Sequence, residues 1–421
     1  MGVSRPAVMV PDEGTWLLWG HDLRASGLQQ VVSPARATAL VAPATAPDDV
    51  LVALRDAWGQ LPAGRELVVL EAPIAGEVDT RDALEQDGSQ ATRHDEHQHH
   101  GDHEGHGDHE AHGDHDHHAM MAVTGDPSAD GLVMEDLEVS LGPVTSALPA
   151  GVVARFTLDG DVVCEAQVRP SFSVGGDGIP DPTSPAAWHA ALAAVRGDDG
   201  GWIAGVELER ARSHARWFMS LGAVLGWAQL TDRARATARD LAALACGGGQ
   251  PGAARHSAAR LAAVVRSRRL RVRLAGVAVI DRESAIEARL DGPNARASGV
   301  ETDARIGHPA YEALQFAPVT EHAGDAHARA LVRAGELEQA LGLFERARSA
   351  RPATAPPVEA GVEGPGGIVL AHPADTGGEP SYAAPGAAIA FRLAGESTRQ
   401  LEWPDAVLAL VSFDLSGWRV G

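Results

Sequence analysis

Residues 87–119 set the outline of any fold this chain can adopt. The run DGSQATRHDEHQHHGDHEGHGDHEAHGDHDHHA carries almost nothing to bury, so no core could offset the entropy of ordering it. The composition predicts a disordered tether. It separates two parts that must each build their own core, residues 1–86 and residues 120–421.

The first part reads as a small α/β domain. Thr38–Val41 is a short apolar run. Asp48 can cap a helix carrying Val50, Leu51, Leu54 and Trp58, and Glu66–Leu70 is a second buried strand after the break at Leu61–Gly64. Strand, helix and strand at this length make one βαβ step, and no phosphate-cradling glycine pattern follows either strand.

The second part changes character twice. Asp136–Ser140, Val152–Asp159 and Val162–Val168 fit an antiparallel sheet with a turn at Asp159-Gly160-Asp161. Helical spacing then dominates. Val206–Gln229 is one helix, Thr231 can cap the next, Gly247–Gly249 ends that one, and a long helix runs from about Asp325 to Ala347. The last 60 residues read as strands at Gly367–Leu370, Ala388–Leu393 and Val407–Phe413. The fold class is α+β.

Charge and cysteine usage narrow the chemistry. Fifty-seven acidic residues face 35 basic ones, all of them arginine, for a net charge of −22. Affinity for nucleic acid comes from displaced counterions, so a chain this acidic is not expected to bind it. Two cysteines, Cys164 and Cys246, leave no CxxC pair, no four-thiolate cluster and no disulfide framework, and each reads as a small buried hydrophobe. Trp188, Trp202, Trp217 and Trp227 read as core. No signal peptide or membrane-spanning run is legible, so the expected location is cytoplasmic, peripheral on the cytoplasmic membrane through partners, with no direct insertion.

The tether has chemistry of its own. His94, His97, His100, His103, His106, His109, His112, His115 and His118 recur every third residue, with His99 and His117 between them and carboxylates such as Asp102, Glu104, Asp108 and Asp114 interleaved. Imidazoles suit Ni²⁺ and Zn²⁺, and binding should weaken as pH falls through about 6.5. No fixed set of three or four ligands emerges, so the segment reads as a reservoir or as a solvated linker rather than a catalytic centre. His308, His322 and His327 are poorly spaced for a common ligand set.

Six segments, in order, resemble a known family. They are Leu141-Gly142-Pro143 with Phe156–Val163; Glu207-Leu208-Glu209-Arg210 with Ser213-His214; Leu290–Gly299; Gly324-Asp325 with Arg329, Arg333 and Glu336; Glu363–Gly367; and Ser412-Phe413-Asp414. Together they are similar to the 49-kDa (D-type) subunit of NADH:quinone oxidoreductase, complex I, a family that includes the large subunits of [NiFe]-hydrogenases. The resemblance implies a hydrogenase large-subunit-like fold over 120–421. A fainter likeness links Ala37–Ala42 and Leu54–Pro62 to the B-type subunit of the same complex, the partner that holds its terminal iron–sulfur cluster.

The departures limit what the resemblance implies. A [NiFe] centre needs two CxxC pairs, which this chain lacks. The family's quinone-contacting His has no counterpart in Val144–Pro149, and Tyr311 and Tyr382 lie outside the segment of its Tyr. The expected function is therefore that of a divergent subunit of a complex I-like or hydrogenase-like assembly, an oxidoreductase component rather than an isolated enzyme. Quinone and iron–sulfur cluster would be met only through partners, an iron–sulfur small subunit and membrane-arm subunits. The alternative is a non-catalytic Ni/Zn-binding assembly or metal-storage protein. The polar motif positions Glu207, Glu209, Arg210, His214, Arg296, Asp325, Arg329, Arg333 and Asp414 read either as a buried salt-bridge network or as a polar strip near the electron path. Glu207, Arg210 and His214 share one helical face, and Asp325 and Glu336 are the expected acidic partners of the buried arginines.

Overall fold

The computed structural model describes residues 5–9, 13–18, 20–31, 34–46, 48–71, 78–85, 137–142, 148, 152–170, 199–303, 305–349, 387–413 and 415, with the strand pairs 362–363, 369–370 and 382–383. The tether 87–119 and Asp414 lie outside the described residues.

The N-terminal unit contains β1 (Arg5–Met9), α1 (Glu13–Leu18), β2 (Leu28–Gln30), β3 (Ala39–Pro43), β4 (Thr45–Ala46), α2 (Asp48–Gln60), β5 (Glu66–Leu70) and β6 (Val78–Asp79). Four of these strands form a parallel sheet in the order β2-β1-β3-β5. The apolar run of β3 is explained by cover on both faces. Leu40 and Ala42 pack with Val50, Leu51 and Leu54 of α2, while Ala39 and Val41 pack with Trp16 and Leu23. The expected βαβ step is β3-α2-β5. Strand β2, a short Leu-Gln-Gln segment, carries no strand signal of its own.

In the second part β7 (Leu137–Leu141), β8 (Val152–Asp159) and β9 (Val162–Pro170) form the expected antiparallel meander. Gly160 turns the β8-β9 hairpin at φ +61°. The bundle follows: α3 (Asp199–Val224), α4 (Ala228–Ala245), α5 (Pro251–Val265), α6 (Arg268–Leu274), α7 (Arg282–Glu287), α8 (Gly292–Ala297), α9 (Pro309–Ala313) and α10 (Ala326–Ser349). A three-stranded sheet of β10 (Val362–Glu363), β11 (Val369–Leu370) and β12 (Tyr382–Ala383) precedes α11 (Ala387–Thr398) and α12 (Trp403–Ser412). The architecture is α+β, as expected.

Three local expectations fail. The helix expected over Val206–Gln229 stops at Val224, and Gly226 at φ +60° redirects the chain into α4. Thr231 lies inside α4, where its hydroxyl donates to the Trp227 carbonyl instead of capping. The expected strands at Ala388–Leu393 and Val407–Phe413 are the helices α11 and α12. A short apolar run suits a buried strand or a buried helix equally. For α12, Pro404 in the first turn and packing against α3 and α10 decide it.

Helix α3 is the centre of the bundle, packed by α10, α4, α12 and α1. Residues 203–219 are buried without interruption although Glu207, Glu209, Arg210, Arg212, His214 and Arg216 lie among them. A helix buried all round is ordinarily apolar; this one obliges its neighbours to supply counter-charges. The N-terminal unit supplies one to the bundle: Glu13 of α1 accepts from Arg235 of α4 through Nε at 2.9 Å and also through Nη2, both side chains being nearly sealed. Glu13→Ala would leave that guanidinium, among the described residues, with the exposed Asp232 3.3 Å away as its carboxylate. The expected loss is about 3 kcal/mol of stability, read by equilibrium denaturation; a loss under about 0.5 kcal/mol would mean the clasp contributes no more than an ordinary surface position.

Candidate functional site

The candidate site is a closed ring of buried charge anchored at both ends on α3. Glu207, Arg210 and His214 do share one face there. Glu207 Oε1 accepts from the Tyr311 hydroxyl at 2.7 Å, and both its oxygens lie 3.4 Å from Arg305 Nη1. Arg210 Nε sits 3.4 Å from Glu207 Oε2. Asp303 grips Arg305 with both oxygens, at 2.9 Å from Nε and 2.7 Å from Nη2. It also faces Arg296 Nη1 at 3.0 Å. Arg296 donates through Nε to Glu336 Oε1 at 2.7 Å, and Glu336 Oε2 lies 3.0 Å from His214 Nε2. The path Glu207–Arg305–Asp303–Arg296–Glu336–His214 thus returns to the helix it left.

Two glycines let the backbones come close enough. Gly299, after α8, has φ +78°, and a Cβ there would lie 2.6 Å from His322 Nδ1. Gly324, just before α10, has φ +64°, and a Cβ would lie 1.9 Å from the Ile280 carbonyl oxygen, to which Ser298 Oγ also donates at 2.8 Å. Only glycine tolerates both demands at Gly324. These are the glycines of the ASG and GD motif segments, so their role is to dock α8 against the head of α10 and bring Arg296 to Glu336.

Electrostatics fix the protonation pattern. Burial pulls Glu336 upward, but the Arg296 charge and His214 hold it well below the usual carboxylate range. Burial likewise works against Asp303, and the Arg305 hydrogen bonds with the Arg296 charge keep it lowered. Burial also opposes the Arg305 charge, yet Glu207 and Asp303 raise it well above its ordinary value. Tyr311 is pushed well up by burial and by Glu207, so it stays a neutral donor. Burial lowers His214, against the pull of Glu336, leaving a neutral imidazole facing a carboxylate. Glu336 and Asp303 are thus held as carboxylates and Arg305 as a cation, while His214 stays neutral.

Arg329 and Arg333 lie beside the ring. Arg329 is held by neutral groups, donating to the Gly324 and Ala278 carbonyls at 2.9 and 2.8 Å and to Ser412 Oγ at 3.0 Å, with its guanidinium 4.6 Å over Phe413. Burial brings it down to about 9, still charged at neutral pH. Arg333 stacks on Trp217 at 4.7 Å. The Asp325 charge favours the Arg329 cation, but its oxygens accept from the Ala328 and Gly276 amides at 2.7 and 2.9 Å, so it caps α10 and ties the preceding loop to it rather than gripping the guanidinium. Glu209 pairs with Arg212 on α3, away from the ring.

Asp303, Arg305 and the role of Tyr311 escaped sequence reasoning. Asp303 and Arg305 sit in a non-periodic loop and Tyr311 on the short helix α9, and the one signal was an acid–arginine pair two residues apart beside the Leu290–Gly299 segment. Cys164 and Cys246 are both exposed, correcting the expectation of buried thiols. One is on β9 and the other follows α4, so they do not converge, and the chain's thiols do not fit a nickel site. Trp217 is buried and Trp227 half-buried, while Trp188 and the Trp202 side chain lie outside the described residues. His308 Nδ1 accepts from the Ala310 amide and its ring meets Tyr311 edge-on at 5.5 Å. Among the described residues no three His, Cys, Asp or Glu side chains form a metal-holding group. The histidines at 94–118 fall outside the described residues.

Comparison with known proteins points to one group. Residues 255–360 match the family model of the respiratory-chain NADH dehydrogenase, 49 Kd subunit. The chain is 46% identical over 77 residues to the D 1 subunit of NADH-quinone oxidoreductase from Chloroherpeton thalassium, covering 18% of each chain. It is 38% identical over 82 residues to the D 2 subunit of the Sinorhizobium medicae enzyme, covering 19% of this chain and 20% of that one. These alignments span about a fifth of the relatives' length. In fold, the chain is similar to a chain of the membrane-bound sulfane sulfur reductase, an archaeal respiratory membrane complex, with TM-score 0.51 and 20% identity over 67% of this chain and 98% of that one.

His214 gives the ring a pH dependence with a definite sign. Its folded-state affinity for a proton is lowered, whereas the unfolded chain takes one up near 6.5, so stability declines as pH falls below about 6.5. His308 and His327, also lowered by burial, act in the same direction. His214→Gln should flatten part of that decline between about pH 6.5 and 5 in urea titrations. An unchanged slope would mean His214 is already protonated in the fold.

Proposed function

We propose that this chain, whose residues 255–360 match the family model of the respiratory-chain NADH dehydrogenase 49 Kd subunit, is a divergent, structural subunit of a complex I-like or hydrogenase-like electron-transfer assembly. In this reading it docks between an iron–sulfur small subunit and membrane-arm subunits, positions them, and holds no redox group by its own ligands. Quinone and cluster chemistry belongs to the partners or to a pocket shared with them.

The observation that carries the proposal is the closed ring itself. It joins α3 to the segment 255–360 that matches the family, and it fixes α8, the 301–308 loop and α10 against α3 with ion pairs that cannot rearrange cheaply. Such a frame suits a subunit whose task is to keep neighbours at fixed separation, because electron transfer depends on distances that a loosely packed core would not hold. The exposed, separate cysteines fit a frame better than a metal centre.

Peripheral attachment to a membrane through partners belongs to the same proposal. Among the described residues no helix is long and apolar enough to cross a membrane. The Ni²⁺/Zn²⁺ reservoir at 94–118 is a separate proposal resting on composition alone. One experiment separates the two: purification of the tagged native protein from membranes in mild detergent, with mass spectrometry and metal analysis of the product. Stoichiometric recovery with iron–sulfur and multi-span membrane subunits is expected; a solitary, metal-loaded chain would overturn the structural-subunit reading.

A further inference from the structure

From Leu241 to Ile280 the chain has no acidic residue, in a protein whose net charge is −22. Seven arginines fall between 255 and 273 of that stretch, all of them exposed. Two are neutralised from α10, Arg255 by Glu345 at 3.0 Å and Arg266 by Glu338 at 2.5 Å. Among the described residues no carboxylate pairs with Arg260, Arg268, Arg269, Arg271 or Arg273.

The geometry of α6 concentrates this charge. Leu270 and Leu274 are sunk in the core, which pins the helix flat against the bundle and turns Arg268, Arg269, Arg271, Val272 and Arg273 outward. Val272 is 72% exposed in the middle of the arginines, and Val279 follows at 56%. Arg269 lies 4.8 Å over the half-buried indole of Trp227. The nearest acids in sequence, Asp281, Glu283 and Glu287, come only after the face has ended. Asp325, in the loop below, is buried and engaged by the Gly276 amide.

We propose that the α6 face is a docking surface for an anionic lipid bilayer. The alternative occupant, an acidic protein, would be read by opposite charges at fixed places and by a recess for an anchor side chain. The α6 face is of a single sign, tipped by a solvated aliphatic and flanked by an arginine-stacked indole. That is the chemistry of the headgroup region, where basic side chains are attracted and Trp is at home. Screening confines each charge to about 8 Å, so the acid-free face acts locally as a cation. The acidic remainder is repelled from the same surface and fixes the orientation. The attraction is electrostatic and needs no helix to leave the core. It stands whether or not partner subunits are recovered with the chain.

The test is sedimentation of the full-length protein with phosphatidylcholine vesicles, with and without phosphatidylglycerol. Binding should require phosphatidylglycerol, fall steeply with salt, and weaken on the order of a hundredfold in R268Q/R271Q/R273Q. Should that variant fail to fold, single Arg271→Gln and Arg273→Gln variants should each weaken binding roughly fivefold. No binding, equal binding to pure phosphatidylcholine, or indifference to these substitutions would overturn the proposal. Retention on soluble polyglutamate with no binding to vesicles would also overturn it and make an acidic protein the occupant.

Discussion

The bundle depends on burying a charged helix. Residues 203–219 of α3 are sealed on every side, and six of their side chains are Glu, Arg or His. Desolvating such groups costs several kcal/mol per ion, which only closely placed counter-charges can offset. That requirement dictates the surrounding architecture. It calls for Arg305 and Tyr311 at Glu207, for Glu336 at His214, and for Arg296 and Asp303 to close the circuit. A buried ion pair is a poor source of net stability compared with apolar packing, but it penalises every arrangement that separates its members. The ring therefore favours one register of α3, α8 and α10 over its competitors.

Much of this is legible in the residues alone. The parallel β3-α2-β5 step, the β7-β8-β9 meander and α10 follow from periodicity and turn residues, which act locally. The shared face of Glu207, Arg210 and His214 follows from helical geometry alone. What stays hidden is long-range. Arg305 and Glu207 are 98 residues apart, and no local pattern announces their meeting. The misread C-terminal runs show the same limit: Val407–Val411 is apolar enough for either a strand or a helix, and the choice is made by packing against α3 and α10. Cys164 alternates outward on β9, a register detail that residue type alone does not reveal. Arg329 feels the expected Asp325 charge only at a distance; its donors are taken by carbonyls and a hydroxyl, because a guanidinium with five donors can be satisfied without a carboxylate.

The ring and the exterior divide the labour. Inside, charges are matched and fixed, which suits a frame rather than a reaction centre. Outside, charge is left unmatched on the arginine face of α6, the kind of asymmetry that orients a molecule toward a surface. The α1–α4 clasp through Glu13 and Arg235 ties α1 of the N-terminal unit to the frame.

The central claim is that the buried charges act as one coupled unit, and a double-mutant cycle on Arg296 and Glu336 tests it most directly. Arg296→Met and Glu336→Leu should each cost about 3–5 kcal/mol in equilibrium denaturation, because each removes the nearest counter-charge of a buried partner. The double variant should cost far less than their sum, with a coupling of about 3 kcal/mol. Single effects that add to within about 0.5 kcal/mol would contradict the account, since additivity is the behaviour of independent sites.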